Sequence, residues 1–298
     1  MVSTPDLISK LFCPIMKRIM QHIVQLCKEY LRSTKSGFRS LYSVQKMLSA
    51  HYPASDNFWK NAISTIDDVN AFPKQLLALT PQPDTYITCD ELFDFLPILG
   101  GGPNISLDLV NNAFNKFGSD KAKTGLSPVY QILLGALTHK SSLLEIGIGT
   151  NNPNLISSMG KKGIPGASLL AYEHILQNSL IFGADIDPDI MFSTKSIKTT
   201  VVDQTSLSTL LALPGIFGVE NFDLIIDDGL HSPQANLNSL LFAMKFSKPG
   251  GLIWIEDIPR RSLEIWYLVK RLTKDHYAFF EIVKINENGF GVLIRTIS

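Results

Sequence analysis

Between Leu143 and Ile255 the chain repeats one pattern: a short, mostly apolar run, then a longer stretch with its apolar residues on one helical face. The runs are Leu143–Ile148, Leu180–Ile186, Thr199–Val202, Phe222–Ile226 and Gly251–Ile255. The helical stretches are Ala167–Gln177, Leu207–Leu213, Pro233–Phe246 and, after the last run, Arg261–Lys274. A run that is apolar at successive residues has two faces to bury, which suits a strand covered by helices on both sides. The alternation therefore predicts βαβ units and a mostly parallel sheet. In 233–246, Leu237, Leu240, Leu241 and Met244 share a face, and Ser232-Pro233 supplies an N-cap and first-turn pair. The end of the chain reads differently. Phe279–Ile285 and Phe290–Ile297 flank the turn Asn286–Gly289, the pattern of an antiparallel hairpin.

Upstream, "LGGGPN" (Leu99–Asn104) marks a joint. It divides a mainly helical region, 1–104, expected to serve oligomerisation or acceptor binding, from an α/β domain, 105–298. In the first region Ile15, Met16, Ile19, Met20, Ile23, Val24, Cys27, Tyr30 and Leu31 recur at helical spacing, as for a helix buried against the protein or another subunit. Lys and Arg together number 27 and so do Asp and Glu, with no dense basic run, so no nucleic-acid partner is expected. Cys13, Cys27 and Cys89 form neither a CxxC pair nor a disulfide framework, which favours a reducing compartment. No apolar stretch is long enough to span a membrane and no secretory leader is read at the start, so a cytoplasmic location and no membrane partner are expected.

The first run ends "LLEIGIGTNN", with Glu145, Gly147, Gly149 and Thr150 at the strand-to-helix turn. Glycines there let the backbone turn sharply and approach a ligand. A dinucleotide loop needs a third glycine where this chain has Asn152. The acid two residues before the first glycine instead matches the E/D-x-G-x-G pattern of loops that bind S-adenosylmethionine (SAM). The next runs end in Asp185, placed to accept ribose hydroxyls, and in Asp203, placed to accept an adenine amino group. Ser168, Gln204 and Asp227 are assigned to the same cofactor crevice. "SKPGG" (Ser247–Gly251) reads as a turn ahead of the fifth strand.

The fourth run ends "IIDDGLHS" and the fifth "IWIEDIP". Neighbouring strands would gather Asp227, Asp228, Glu256 and Asp257 at one rim, with His231 on the turn that follows. Carboxylates this close raise one another's pKa unless they share a cation, and oxygen donors without thiolates suit Mg²⁺ or Mn²⁺.

"IIDDGLH" with "GGLIWIEDI" resembles the paired motifs of metal-dependent sugar O-methyltransferases of the macrocin and mycinamicin type. "NKFGSDKAKTGLSPVYQILL" (Asn115–Leu134) and "PGASL" (Pro165–Leu169) resemble two further segments of that family. The resemblance covers about Asn115 to Asp257. It implies a class I methyltransferase fold: α/β, a mostly parallel seven-stranded sheet closed by an antiparallel C-terminal hairpin. It implies SAM and Mg²⁺ (or Mn²⁺) as cofactors, Asp228, Glu256 and Asp257 as metal ligands, and His231 as general base. It also implies a small-molecule or glycan hydroxyl as acceptor, and a homo-oligomer. Leu230 replaces a usual Ser, and Asn151–Gly166 is an extra Gly/Pro/Asn-rich stretch, departures that bear on the acceptor. Two other readings stand beside it: a metal-independent O- or N-methyltransferase, and a non-catalytic module that keeps the fold.

Overall fold

The computed structural model describes residues 71–79, 85–100, 105–137, 140–287 and 289–298. The helix expected over Ile15–Leu31, with Cys13 and Cys27, lies outside them. Leu76–Ser298 forms one compact unit. The segment 85–100, grouped on sequence with the helical region, is part of it: Leu92 and Leu99 are buried in its core.

Among the described residues eight strands make one sheet: β1 (Ile87–Thr88), β2 (Ser142–Ile146), β3 (Leu180–Asp185), β4 (Ile197–Val201), β5 (Phe222–Asp227), β6 (Ser247–Pro259), β7 (Tyr277–Lys284) and β8 (Gly289–Thr296). Their order is β1-β7-β8-β6-β5-β2-β3-β4. Strands β4, β3, β2, β5 and β6 run parallel, and β8 lies antiparallel between β6 and β7, as the hairpin pattern predicts. The count is eight rather than seven because Ile87–Thr88 adds a parallel edge to β7. Two residues are too few to show a period, so this strand has no sequence signature.

Successive residues of the central strands face opposite sides, as the pleat requires. Leu144, Ile146, Ile225, Ile253 and Ile255 pack into one core. Leu143, Leu224, Ile226, Leu252 and Trp254 pack into the other. The first is covered by the helices Pro233–Phe246 and Leu263–Thr273. The second is covered by α1 (Leu107–Phe117), α2 (Ser127–Gly135) and α3 (Ala167–Ile175). Each fully buried Leu, Ile or Phe contributes about 1.5–3 kcal/mol. The expected cap forms: the Ser232 hydroxyl accepts the Ala235 N–H at 3.3 Å.

Two irregularities shape the site. The turn expected at 247–251 is the uneven start of β6, where Gly250 has φ +74°. Further along, β6 shifts register against β8 between Ile255 and Ile258. Glu256 and Asp257 sit in that bulge, and bulges re-aim side chains. Among the described residues no helix is long and apolar enough to cross a membrane.

Candidate functional site

Strand β2 lies between β3 and β5, so the chain leaves it in one direction and returns on its other side. Open α/β sheets bind ligands at that switch point, beyond the carboxyl ends of the strands. Here the β2 and β5 loops touch. Gly147 has φ +87°, and a Cβ on it would be driven into the backbone of Asp228 and Gly229. Any other residue would part the glycine loop from the acidic loop.

Two clefts meet at this point and share Gly147, Asp185 and Gly229 in their walls. The first, of ≈ 300 Å³, is lined by Gly147, Asp185, Asp203 and Gln204. The second, of ≈ 560 Å³, is lined by Gly149, Ser168, Asp228, His231, Glu256 and Asp257. Of the expected cofactor residues, Glu145, Thr150 and Asp227 stand outside both. Glu145 is wholly buried and accepts the hydroxyls of Ser168 and, at 3.1 Å, Tyr172. Thr150 gives its hydroxyl to Asp187. Asp227 accepts from Gln204 at 2.6 Å and Asn236 at 3.0 Å, and burial pushes its pKa up. These groups brace the loops. Asp185 does both jobs: it lines the clefts, and one oxygen accepts the Ile148 and Gly149 amides at 2.9 and 3.1 Å.

At the inner end of the second cleft lies a cation that sequence reasoning missed. Helix α1 stops at Gly118 (φ +81°), and Ser119 starts a 3-10 turn, Asp120–Ala122, that carries Lys121 over the strand ends. Lys121 is 2% exposed. Its ammonium lies 2.6 Å from Asp228, 3.0 Å from Glu256 and 3.5 Å from Glu145. Burial alone would lower its pKa, but Asp228 and Glu256 outweigh that and hold it well above the usual lysine range. Tyr130 donates its hydroxyl to Glu256 and stacks on Tyr172, which reaches Glu145. Burial, then the Asp228 charge, push Glu256 well up, and Lys121 opposes them. Burial takes Glu145 to about 7 against the pull of Lys121. The motif around Lys121 was legible, but its partners lie too far along the chain for spacing to show them.

The outer half is different. Asp228, His231 and Asp257 each offer an atom within 4.8 Å of the others. His231 Nε2 is 3.8 Å from one oxygen of each aspartate, and the His231 Nδ1 is buried with no hydrogen-bond partner. Both His231 (φ +54°) and Asp257 (φ +52°) hold left-handed backbone, two of the four described non-glycine residues that do. Such conformations cost about 1–3 kcal/mol each and cluster at working sites. Partial desolvation and the Asp228 charge raise the Asp257 pKa. The Asp228 and Asp257 carboxylates of the trio offer the oxygen donors that suit a hard divalent cation, with His231 beside them. Glu256, the third carboxylate expected at the metal, faces Lys121 and Tyr130.

The fold is that of the class I methyltransferases: a mostly parallel sheet closed by an antiparallel hairpin. No family model matches the chain. It is 34% identical over 117 residues to demethylmacrocin O-methyltransferase of Streptomyces fradiae, a match covering 39% of this chain and 27% of the relative. It is 26% identical over 117 residues to 8-demethyl-8-alpha-L-rhamnosyl tetracenomycin-C 2'-O-methyltransferase of Streptomyces olivaceus, covering 39% of this chain and 28% of that one. The matches thus span only about a quarter of the length of these curated relatives. Among solved structures, MycE methyltransferase of the mycinamycin biosynthetic pathway, in complex with Mg and SAH, superposes with TM-score 0.50 at 19% identity, over 66% of this chain and 56% of that one. The chain resembles the macrocin-type sugar O-methyltransferases.

Proposed function

We propose that this chain transfers the methyl group of SAM to a hydroxyl of a sugar or glycosylated small molecule, with the help of a divalent cation. One observation carries the reading: the glycine-loop cleft runs directly into the Asp228–His231–Asp257 trio, so a sulfonium in one half would face an acceptor in the other. Gly147, Asp185 and Asp203 belong to the cofactor half. Asp228 and Asp257 are the carboxylates that would hold Mg²⁺ or Mn²⁺, with Glu256 as the third that the resemblance assigns. When bound, such an ion stabilises negative charge developing on an acceptor oxygen.

The chain's own residues supply the rest. His231 stands in the trio with Nε2 3.8 Å from one oxygen of each aspartate. Imidazole is the side chain suited to collect a proton in such a cleft. Methyl transfer turns a sulfonium into a neutral thioether and releases the hydroxyl proton. Collected on His231, that proton leaves the charge of the cleft unchanged. The buried Lys121–Glu256–Tyr130 cluster holds Asp228 from behind, so the aspartate does not have to reorganise as charge moves.

The test is a methyl-transfer screen against a panel of sugars and glycosides with Mg²⁺, read by mass spectrometry, with and without EDTA. A methylated sugar product lost on chelation and restored by Mg²⁺ supports the proposal. Full turnover in EDTA favours the metal-independent reading, and no SAM binding at all favours a non-catalytic module.

A further inference from the structure

Strand β5 ends at Asp227 and its helix starts at Pro233, but β2 ends at Ile146 and α3 starts only at Ala167. The intervening stretch, 150–166, is an arch with a fixed base. The Met159 amide donates to the Thr150 carbonyl at 2.8 Å, and the Gly166 amide donates to the Ile148 carbonyl at 2.8 Å. The Asn151 side-chain amide ties the arch across itself, donating to the carbonyls of Gly160 and, at 3.0 Å, Gly163. Met159 packs against Gly149 and Ile164 against Gly118, so closely that a Cβ on either glycine would collide. The tip is the opposite. Asn154–Ser157 forms one wall of the first cleft, and Ile156 stands in the wall of the second as well, with 93% of its surface exposed. A single exposed apolar side chain is ordinary on a protein surface. This one stands where two clefts meet, on an arch that is already held in place. Leu155, Ile186 and Leu230 line the first cleft with it, so a ligand there meets an apolar wall as well as Asp185 and Asp203.

We propose that Ile156 is a cofactor-contacting residue: SAM in the first cleft buries its side chain, and the arch roofs the sulfonium end of the cofactor. Resting on the SAM reading above, this adds a binding residue from the stretch that departs from the family pattern. The side chain already stands in both walls, so the contact needs no closure of the arch. An apolar roof at the junction keeps water away from the methyl group and leaves the acceptor hydroxyl as the oxygen that meets it. An incidental surface isoleucine makes a different forecast: its loss would leave cofactor affinity unchanged.

The experiment is calorimetric titration with S-adenosylhomocysteine of wild type, Ile156→Leu, Ile156→Ser and Ile216→Ser, beside guanidinium unfolding of each without ligand. Ile156→Ser should weaken binding by about tenfold or more, the scale of covering an isoleucine side chain. Ile156→Leu should stay within about twofold of wild type. Ile216, 56% exposed and outside both clefts, is the control, and Ile216→Ser should bind as wild type does. Unfolding midpoints should not move, because an exposed side chain adds little to the free fold. Affinity of Ile156→Ser within about twofold of wild type overturns the inference and leaves the proposed function standing. Weaker binding with a lowered unfolding midpoint also overturns it, since Ile156 would then hold the fold rather than the ligand. A wild-type protein that binds no S-adenosylhomocysteine overturns both.

Discussion

Lys121→Met should cost this protein about 3–5 kcal/mol of folding stability at pH 8, the scale seen when one partner of a buried ion pair is removed. The magnitude follows from what the ammonium leaves behind. Glu145 is 0% exposed and Glu256 is 1% exposed, and both rely on the same cation at 3.5 and 3.0 Å. Hydroxyls of Ser168, Tyr172 and Tyr130 remain, but they are neutral donors. Burial already raises both carboxyls, Glu145 to about 7, and losing Lys121 raises them further. A carboxyl whose folded pKa exceeds its unfolded value of about 4.3 gives stability that is present at low pH and lost as pH rises through the folded pKa. The deficit of the variant should therefore be small near pH 4.5 and grow through pH 7. Guanidinium unfolding at several pH values measures it. A deficit under about 1 kcal/mol at pH 8, the scale of an exposed pair, or one that does not grow as pH rises, would refute the reasoning.

Gly147→Ala should lower affinity for S-adenosylhomocysteine by at least about tenfold in calorimetry, since its Cβ meets the Asp228 backbone and its φ of +87° adds about 1–3 kcal/mol of strain; wild-type affinity would show that the two loops part freely. His231→Ala should depress turnover by about 10²–10⁴-fold and spare cofactor affinity, and turnover within a few-fold of wild type would remove the histidine from proton transfer. Tyr130→Phe strips buried Glu256 of a donor and should destabilise by about 1–3 kcal/mol in the same unfolding assay; no change would mean that Lys121 alone satisfies that carboxylate.

The strands and helices around the site were legible because their cause is local. Five apolar runs each became a strand, and Pro233–Phe246 became a helix with the expected cap. The gathering of acids was legible for the same reason: β5 and β6 are parallel neighbours in register to Asp227 and Ile255, so "IDD" and "IED" end at one rim. Which acid faces which way was not legible. Asp227 and Asp228 are adjacent, yet one is buried among amides and the other meets the cleft, and the β6 bulge turns Glu256 inward and Asp257 outward. A bulge depends on the partner strand, which a single strand's residues do not encode. Lys121 was illegible as a partner because "GSDKAKTG" has the look of a solvated turn and Asp228 is 107 positions away. The two-residue β1 lacked any period at all.

The central claim is that a divalent cation and the sulfonium methyl occupy adjoining halves of one cleft. NMR relaxation of SAM labelled with ¹³C in the methyl group, bound to the protein with Mn²⁺ and without acceptor, tests it directly. Strong relaxation of the methyl carbon, relieved by excess Mg²⁺ and absent in Asp257→Asn, is the expected result. A methyl carbon that relaxes no faster with Mn²⁺ than without it, while SAM and Mn²⁺ are both bound, would contradict it.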